Sequence, residues 1–457
     1  MTTRRRASAL SRTFLARTTA MAMGACLVAG CGALPGGSGG SGGADTLTVM
    51  TFAPVDSKAT NMPGMPGMAK AYERWVNSKG GINGRKLRVL TCDERNTPTG
   101  AADCARKAVT EKAVAVIGSY SQHGRAFLAP LEAEGIPFIG GYGVSAEEFQ
   151  SPLSYPVNGG QPVLVAGAGH QLGRSCAKVA LVRPDTLAGD SLPLQLNSGL
   201  KANQMGEASD IRAAEDSADL SVQANEALAA SSPGAPAKGS AGGAKDGSGS
   251  GSGSGSAKDG KEKGCVAAVL GARTETFFDA FRRADSQNRK PQISSVLGSV
   301  SQALVDRTGG KESPFEGAYV TSWYPVASDP LWTQMRNVIT DHAFGDNAVD
   351  PDDSGAQTTW IAYTVFSEMV KRFKEDEDLT GRTLTRKLNQ SDPVKTGGLT
   401  PDLSWRYQDM RAVSGFPRMV NGRVTFQIVQ QGRLVAQPGG EQSLDMTKTL
   451  EQAPRSS

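Results

Sequence analysis

From Asp45 onward, short apolar runs of β type alternate with amphipathic helical stretches, an order that few architectures accept. "TLTVMTF" reads as a strand and "GMAKAYERWVNS" as a helix stopped by Gly80-Gly81. "KLRVLTC" is a strand, "GAADCARKAVTE" a helix, "AVAVIGS" a strand, "GRAFLAPLEAEG" a helix and "IPFIGGYG" a strand. This alternation predicts an α/β chain whose parallel sheets are covered by helices on both faces. After "YPVNGGQPV" the rhythm restarts with a helix over about 163–172, the strand "KVALVRP" and a helical "LPLQLNSGLKAN". It returns in "GCVAAVLGARTETFFDAFRRAD", the strand "GAYVTSWY", the long helix of "AQTTWIAYTVFSEMVKRFKE" and "RTLTRKLNQ". "RVTFQIVQQGRLV" alternates like a hairpin turning at Gln431-Gly432. About 400 ordered residues exceed one compact core, so two lobes are predicted.

Two segments break the pattern. Residues 231–263 read "SSPGAPAKGSAGGAKDGSGSGSGSGSAKDGKEK", which cannot bury apolar surface and predicts a disordered insertion. An interdomain linker is the other reading; a surface loop is preferred because the β-α rhythm resumes directly after it. The polar tail, 437–457, is expected to be mobile. At the other end, Arg4, Arg5, Arg6, Arg12 and Arg17 precede a weakly apolar stretch over about 18–28 and the small residues Ala29 and Gly30. These are the parts of a secretory signal, and the apolar stretch falls short of the roughly 17–25 residues that span a bilayer. "VAGC" resembles the lipobox of bacterial lipoproteins. That implies cleavage of a signal peptide at 1–30, diacylglycerol on Cys31 and a Gly/Ser tether over 31–44. An ordinary leader with an incidental cysteine is the alternative. The arginine triplet also suggests twin-arginine export, a pattern that Ala7, Ser8 and Ala9 fit poorly.

Without residues 1–30, Lys+Arg falls from 49 to 44 against 45 Asp+Glu, so the mature net charge is about −1. No basic patch argues for nucleic acid. Four cysteines remain besides Cys31: Cys92, Cys104, Cys176 and Cys265. An even count in an exported chain suggests two disulfides, with three possible pairings. Nearness favours Cys92–Cys104, which leaves Cys176–Cys265. Both of the latter precede apolar strands whose starts would share one edge of a parallel sheet. No CxxC and only His123, His170 and His342 speak against zinc, and no cofactor is expected.

At "WVNSKGGINGRKLRVLTCDERNTPTGAADCARKAV" the chain resembles type I periplasmic binding proteins, the branched-chain amino acid and amide receptors of ABC importers. The family pattern is met by Gly80-Gly81, the turn Ile82-Asn83-Gly84, Asp93 at a strand end, and the small-residue helix from Gly100. "VAVIGSYSQHG", "GIPFIGGYGVSAEE", "DPLWTQMRN" and "QTTWIAYTVFSEMV" continue the series to about Val435. The resemblance implies two Rossmann-like lobes joined by three crossings, with ligand in the cleft. Lobe one would hold 45–158 and 323–398, and lobe two 160–321 and 400–436. It also implies a monomeric, lipid-anchored receptor on the extracellular face of the cell membrane that passes a small molecule to an ABC permease.

Ligands of open α/β sheets bind beyond the carboxyl ends of the strands. Here that places Tyr120, Ser121, Gln122, Gly143, Ser145, Asp185, Arg273, Ser299 and Tyr324 as candidate ligand-binding residues. The resemblance implies that the two loops of lobe one bind a carboxylate through N–H and hydroxyl groups, Ser121 and Ser145 supplying the hydroxyls. Either serine also suits a helix N-cap, and the two roles coexist. Arg273 also suits a surface salt bridge, and His123 reads as a solvated loop histidine. Amino-acid receptors of the family set a lobe-two acid against the ligand's ammonium. At the matching place this chain has Ser299 and no acid before Asp306, and Leu187-Ala188 stand where an aromatic clamp is usual. A plain α-amino acid is therefore not expected, unless Asp185, Asp190 or Glu275 supplies the charge.

No P-loop, GxSxG or HExxH argues for an enzyme, and "GAGHQLG" lacks the GxGxxG spacing. A ligand-sensing lipoprotein coupled to a signalling receptor would use the same lobes, because both roles need closure on ligand.

Overall fold

The computed structural model describes residues 46–57, 60–186, 189–214, 217–232, 263–346, 348–413 and 415–453. The leader, Cys31, the tether, Leu187, Ala188 and nearly all of the insertion lie outside them. Ser231, counted above in the insertion, is instead the buried last residue of a helix.

The first lobe runs β1 (Thr46–Ala53), α1 (Gly64–Ser78), β2 (Lys86–Asp93), α2 (Pro98–Thr110), β3 (Ala115–Ile117), α3 (Gly124–Glu134), β4 (Phe138–Ile139) and β5 (Ser154–Tyr155). Its strands are all parallel, in the order β2-β1-β3-β4-β5. Side-chain period 2 divides β1 between two cores. Leu47, Val49 and Ala53 join one cluster, while Met50 and Phe52 join another with Ala105, Phe127 and Phe138.

The second lobe continues with α4 (Gly160–Ser175), β6 (Lys178–Pro184), α5 (Leu192–Ala202), β7 (Ser209–Ala213), α6 (Ser221–Ser231), β8 (Gly264–Ala268), α7 (Thr274–Ala284), β9 (Gln292–Val296), α8 (Gln302–Arg307) and β10 (Tyr319–Ser322). The chain then returns to lobe one as α9 (Thr333–His342), α10 (Ser354–Val370) and α11 (Gly381–Gln390). Trp360 of α10 meets Tyr72 of α1 with ring centroids 5.2 Å apart, and Tyr363 reaches Thr51 of β1 at 2.8 Å. The remaining elements are β11 (Arg411–Val413), β12 (Phe416–Met419), β13 (Arg423–Gln430), β14 (Arg433–Ala436), β15 (Ser443–Asp445) and α12 (Thr447–Glu451). The second sheet has the order β14-β13-β10-β9-β8-β6-β7 with β15 also on β13. Its parallel part, β7-β6-β8-β9-β10, repeats the strand order of lobe one. The β13–β14 hairpin turns at Gln431-Gly432, both at positive φ.

Three connections join the lobes side by side. Trp323 Nε1 donates to Gly160 O at 2.9 Å, Thr425 Oγ1 to Tyr324 O at 2.7 Å, and Asn421 Nδ2 to Val157 O at 2.9 Å. The third connection therefore falls near Asn421, not at 399 as expected. Residues after 400 still belong to the lobe-one side. Trp405 donates to Pro156 O at 3.0 Å, Phe416 packs on Phe149, and Arg418 Nε bonds Ser154 O at 2.9 Å.

The tail differs from expectation as well. Over 443–451 it is a strand on β13 followed by a helix, with Met446 and Leu450 buried. A few apolar anchors spaced among polar residues suffice to dock it. Both disulfides are present, Cys92–Cys104 and Cys176–Cys265. The second joins the starts of β6 and β8, where Val179 pairs with Cys265 in the parallel register.

"GAGHQLG" is the middle of α4, and its glycines serve packing. A Cβ on Gly169 would sit 2.0 Å from Leu196 O, and one on Gly199 2.0 Å from Ala166 O, so α4 and α5 touch backbone to backbone. Among the described residues no His/Cys/Asp/Glu cluster could hold a metal, and no helix is long and apolar enough to cross a membrane.

Candidate ligand-binding site

In each lobe the strand order reverses once, between β1 and β3 and between β6 and β8, and such switch points open a crevice at the strands' carboxyl ends. The lobes meet there. Tyr142, after β4, packs its ring on Tyr120, after β3, at 5.3 Å and on Trp323, after β10, at 5.1 Å. Its hydroxyl lies 2.7 Å from Ser354 Oγ at the start of α10. From lobe two, Gly298 approaches so closely that a Cβ on it would stand 2.9 Å from the Tyr142 hydroxyl. Tyr324 is buried behind this group, bonded to Asn158 at 3.3 Å and Thr358 at 3.0 Å, and burial pushes its phenol up to about 12.

The loop over 143–145 forms the cradle of N–H donors expected for a carboxylate, and Glu148 fills it. Gly143 N donates to Glu148 Oε2 at 3.0 Å; Val144 N and Ser145 N donate to Oε1 at 3.1 and 3.0 Å. The Ser145 hydroxyl adds a fourth bond at 3.1 Å. Ser145 thus has the N-cap role, in a capping box with Glu148. Glu148 is buried, and desolvation raises its carboxyl to about 7 despite the N–H donors.

Ser121 is occupied in the other loop. It accepts from His123 N at 3.1 Å and donates to Glu94 Oε2 at 3.2 Å. Glu94 directly follows β2 and is fully buried, and burial raises it to about 7. Its Oε1 has no hydrogen-bond partner among the described residues, nor have Asn96 Oδ1 and His123 Nε2. An unmet buried polar atom costs about 1–3 kcal/mol, so three in two loops joined through Ser121 mark an unusual place. His123 is half-buried rather than solvated. Gln122 is exposed and donates to the Tyr120 hydroxyl at 3.1 Å.

The lobe-two candidates are only partly gathered. Ser299 is buried beside Gly298, at the face that meets Tyr142. Arg273 instead bonds Ala214 O at 2.6 Å, and Asp185 is anchored through its N–H to Ala213 O at 2.9 Å, so both are tied to the β7 end. The three acids that could have met an ammonium each face an arginine. Asp185 lies 3.5 Å from Arg212, Asp190 3.0 Å from the buried Arg183, and Glu275 2.6 Å from Arg307.

Sequence reasoning missed Glu94, Glu148 and Tyr142. The Ser-x-x-Glu spacing of Ser145 and Glu148 is a capping-box signal that could have found one of them. Glu94 follows the recognised Asp93, whose Oδ1 holds Val55 N and Arg95 N at 2.9 and 3.0 Å, and only the fold separates the two roles.

The family model for periplasmic binding proteins matches residues 57–417. None of the curated protein sequences matches. Among solved structures, an extracellular ligand-binding receptor from Verminephrobacter eiseniae ef01-2 is 18% identical, with a TM-score of 0.62 over 85% of this chain and 99% of its own. A solute binding protein of an ABC transporter from Rhodopseudomonas palustris HaA2, in complex with p-hydroxybenzoic acid, is 13% identical, with a TM-score of 0.67 over 90% and 100%. A branched chain amino acid ABC transporter from Thermus thermophilus with bound valine is 14% identical, with a TM-score of 0.64 over 87% and 96%. At such identities these structures establish the fold alone. With the family matched over most of its length, on two lobes of repeated strand order, the chain belongs to the periplasmic binding proteins of type I fold, a family that binds ligands and does not catalyse.

Proposed function

We propose that this chain is a monomeric extracytoplasmic solute receptor, held by lipid on Cys31 at the outer face of the cell membrane. It captures a small polar metabolite by lobe closure and delivers it to an ABC permease. The observation that carries this reading is the meeting of the lobes over their strand ends, where Gly298 abuts Tyr142. Solved relatives that hold p-hydroxybenzoic acid and valine support a solute of that size.

A plain α-amino acid fits poorly in the family's own manner, with its carboxylate on the 143–145 loop and its ammonium on a lobe-two acid. The lobe-two acids are paired with arginines, and the amides of 143–145 are taken by Glu148. A buried ammonium without a partner costs several kcal/mol.

Native mass spectrometry of the purified protein tests the reading. A solute carried one-to-one and lost on denaturation supports it; a bare mass in repeated preparations contradicts it. In thermal-shift assays, leucine, isoleucine and valine at micromolar concentration are expected to leave the midpoint unchanged, whereas a solute at 100 times its Kd stabilises by about 2.7 kcal/mol. For the anchor, Cys31→Ser is expected to release the protein from the membrane fraction or leave the leader uncut. A variant still pelleting with its N-terminus at residue 31 would contradict lipidation.

A further inference from the structure

Two buried glutamates stand in the lobe-one loops, Glu94 directly after β2 and Glu148 in the turn that follows β4, and they are used differently. Glu148 has both oxygens engaged by the loop that it fastens. Glu94 has Oε2 on Ser121, and no described residue hydrogen-bonds its Oε1. The turn that follows Glu94 passes through two left-handed residues, Arg95 at φ 55° and Asn96 at φ 52°. Asn96 Oδ1 is buried without a partner among the described residues, as is His123 Nε2, two residues after Ser121. The neighbouring Tyr120 connects this group to the cleft, because its ring packs on Tyr142 while both Glu94 and Glu148 act electrostatically on its phenol.

We infer that Glu94, Asn96, Ser121 and His123 form a polar subsite of the lobe-one cleft wall that accepts a hydroxyl or amine donor of the solute, with Glu94 Oε1 as the principal acceptor. The inference rests on the receptor reading and narrows it. An ionised carboxylate fits poorly here, because it would face the Glu94 carboxyl oxygen and the Asn96 amide oxygen. Nor does the 143–145 cradle receive it, since Glu148 already holds those donors. The solute is therefore recognised on lobe one by what it donates.

Thermal shift and calorimetry with matched probes test this. Benzyl alcohol, benzylamine, ribitol and ethanolamine carry donors; benzoate and propionate carry a carboxylate in their place. At least one donor-bearing probe is expected to raise the midpoint of the wild-type protein, and neither carboxylate to do so. Glu94→Gln is expected to weaken the responding probe at least tenfold. If that variant does not fold, Ser121→Ala, which releases Glu94 Oε2, is expected to weaken it severalfold. Binding of the carboxylates alone, or unchanged affinity in these variants, would overturn the assignment. A complete lack of response to the donor-bearing probes would overturn it as well. The receptor reading is judged separately by the co-purified solute: a carried carboxylic acid with no hydroxyl or amine donor refutes the subsite and leaves the receptor standing.

Discussion

Glu148 Oε1 lies 3.0 Å from the backbone nitrogen of Ser145 and 3.1 Å from its hydroxyl, so the residue that caps the turn is itself fastened by it. Together with the bonds from Gly143 and Val144, one buried carboxylate satisfies a whole loop. Glu148→Ala would leave three N–H groups and a hydroxyl without an acceptor. The expected loss is at least about 2 kcal/mol in denaturant unfolding. Formate or acetate should restore part of it, because a small anion can enter the emptied cradle, and chloride at equal ionic strength should not. No loss, or equal rescue by every salt, would contradict this arrangement.

The same burial fixes a pH dependence. Glu94 and Glu148 rise from 4.5 to about 7 and Asp353 from 3.8 to about 6, each through desolvation. A carboxyl raised on folding binds its proton more tightly in the native chain. Its stabilisation is complete below the unfolded value and is lost as pH rises through the folded one. The thermal midpoint is therefore expected to fall between pH 5 and pH 8, with Glu148 accounting for up to about 3 kcal/mol. His170, lowered by burial, works in the opposite direction, while Asp352, raised by burial, adds to the other three carboxyls. Glu148→Gln should flatten the profile; a midpoint that rises over this range would contradict it.

Gly298 is a contact of geometry rather than of chemistry. A methyl there would crowd the Tyr142 hydroxyl at 2.9 Å, and φ at +84° strains any side chain. Gly298→Ala is expected to cost about 1–3 kcal/mol. Tyr142→Phe removes the crowding oxygen and with it the bond to Ser354. In the double variant the two effects should fail to add by at least about 0.5 kcal/mol. Simple additivity in equilibrium unfolding would mean that the two residues do not meet.

Strand and helix order was legible because apolar periodicity is local: β1 through α3, β6, α7, β10 and the β13–β14 hairpin all stand where their runs predict. The candidate site was less so. Ser121 and Ser145 suit either a ligand hydroxyl or an N-cap in sequence, and their actual partners, Glu94 and Glu148, are chosen by three-dimensional approach. Arg273 and Asp185 sit at strand ends as expected, yet β7, which sequence reading missed, draws both toward itself. Docking of the tail was equally invisible, since Leu450 is one apolar residue in a polar run.

The two disulfides should differ in weight. Cys176–Cys265 closes a separation of 89 residues and Cys92–Cys104 one of 12. Loop-closure entropy gives about 4–5 kcal/mol for the first and about 3 for the second. Replacing the Cys176–Cys265 pair by serines should therefore destabilise more than replacing Cys92–Cys104. Both bridges should appear in non-reducing peptide maps, and a Cys92–Cys176 peptide would contradict the pairing.

Lobe closure over a solute is the central claim, and small-angle X-ray scattering measures it directly. Protein stripped of solute by unfolding and refolding is expected to show a larger radius of gyration than the protein as purified, and to contract again when the recovered solute is returned. Identical scattering in all three states, with the solute shown by mass spectrometry to be removed and rebound, would contradict closure as the mode of capture.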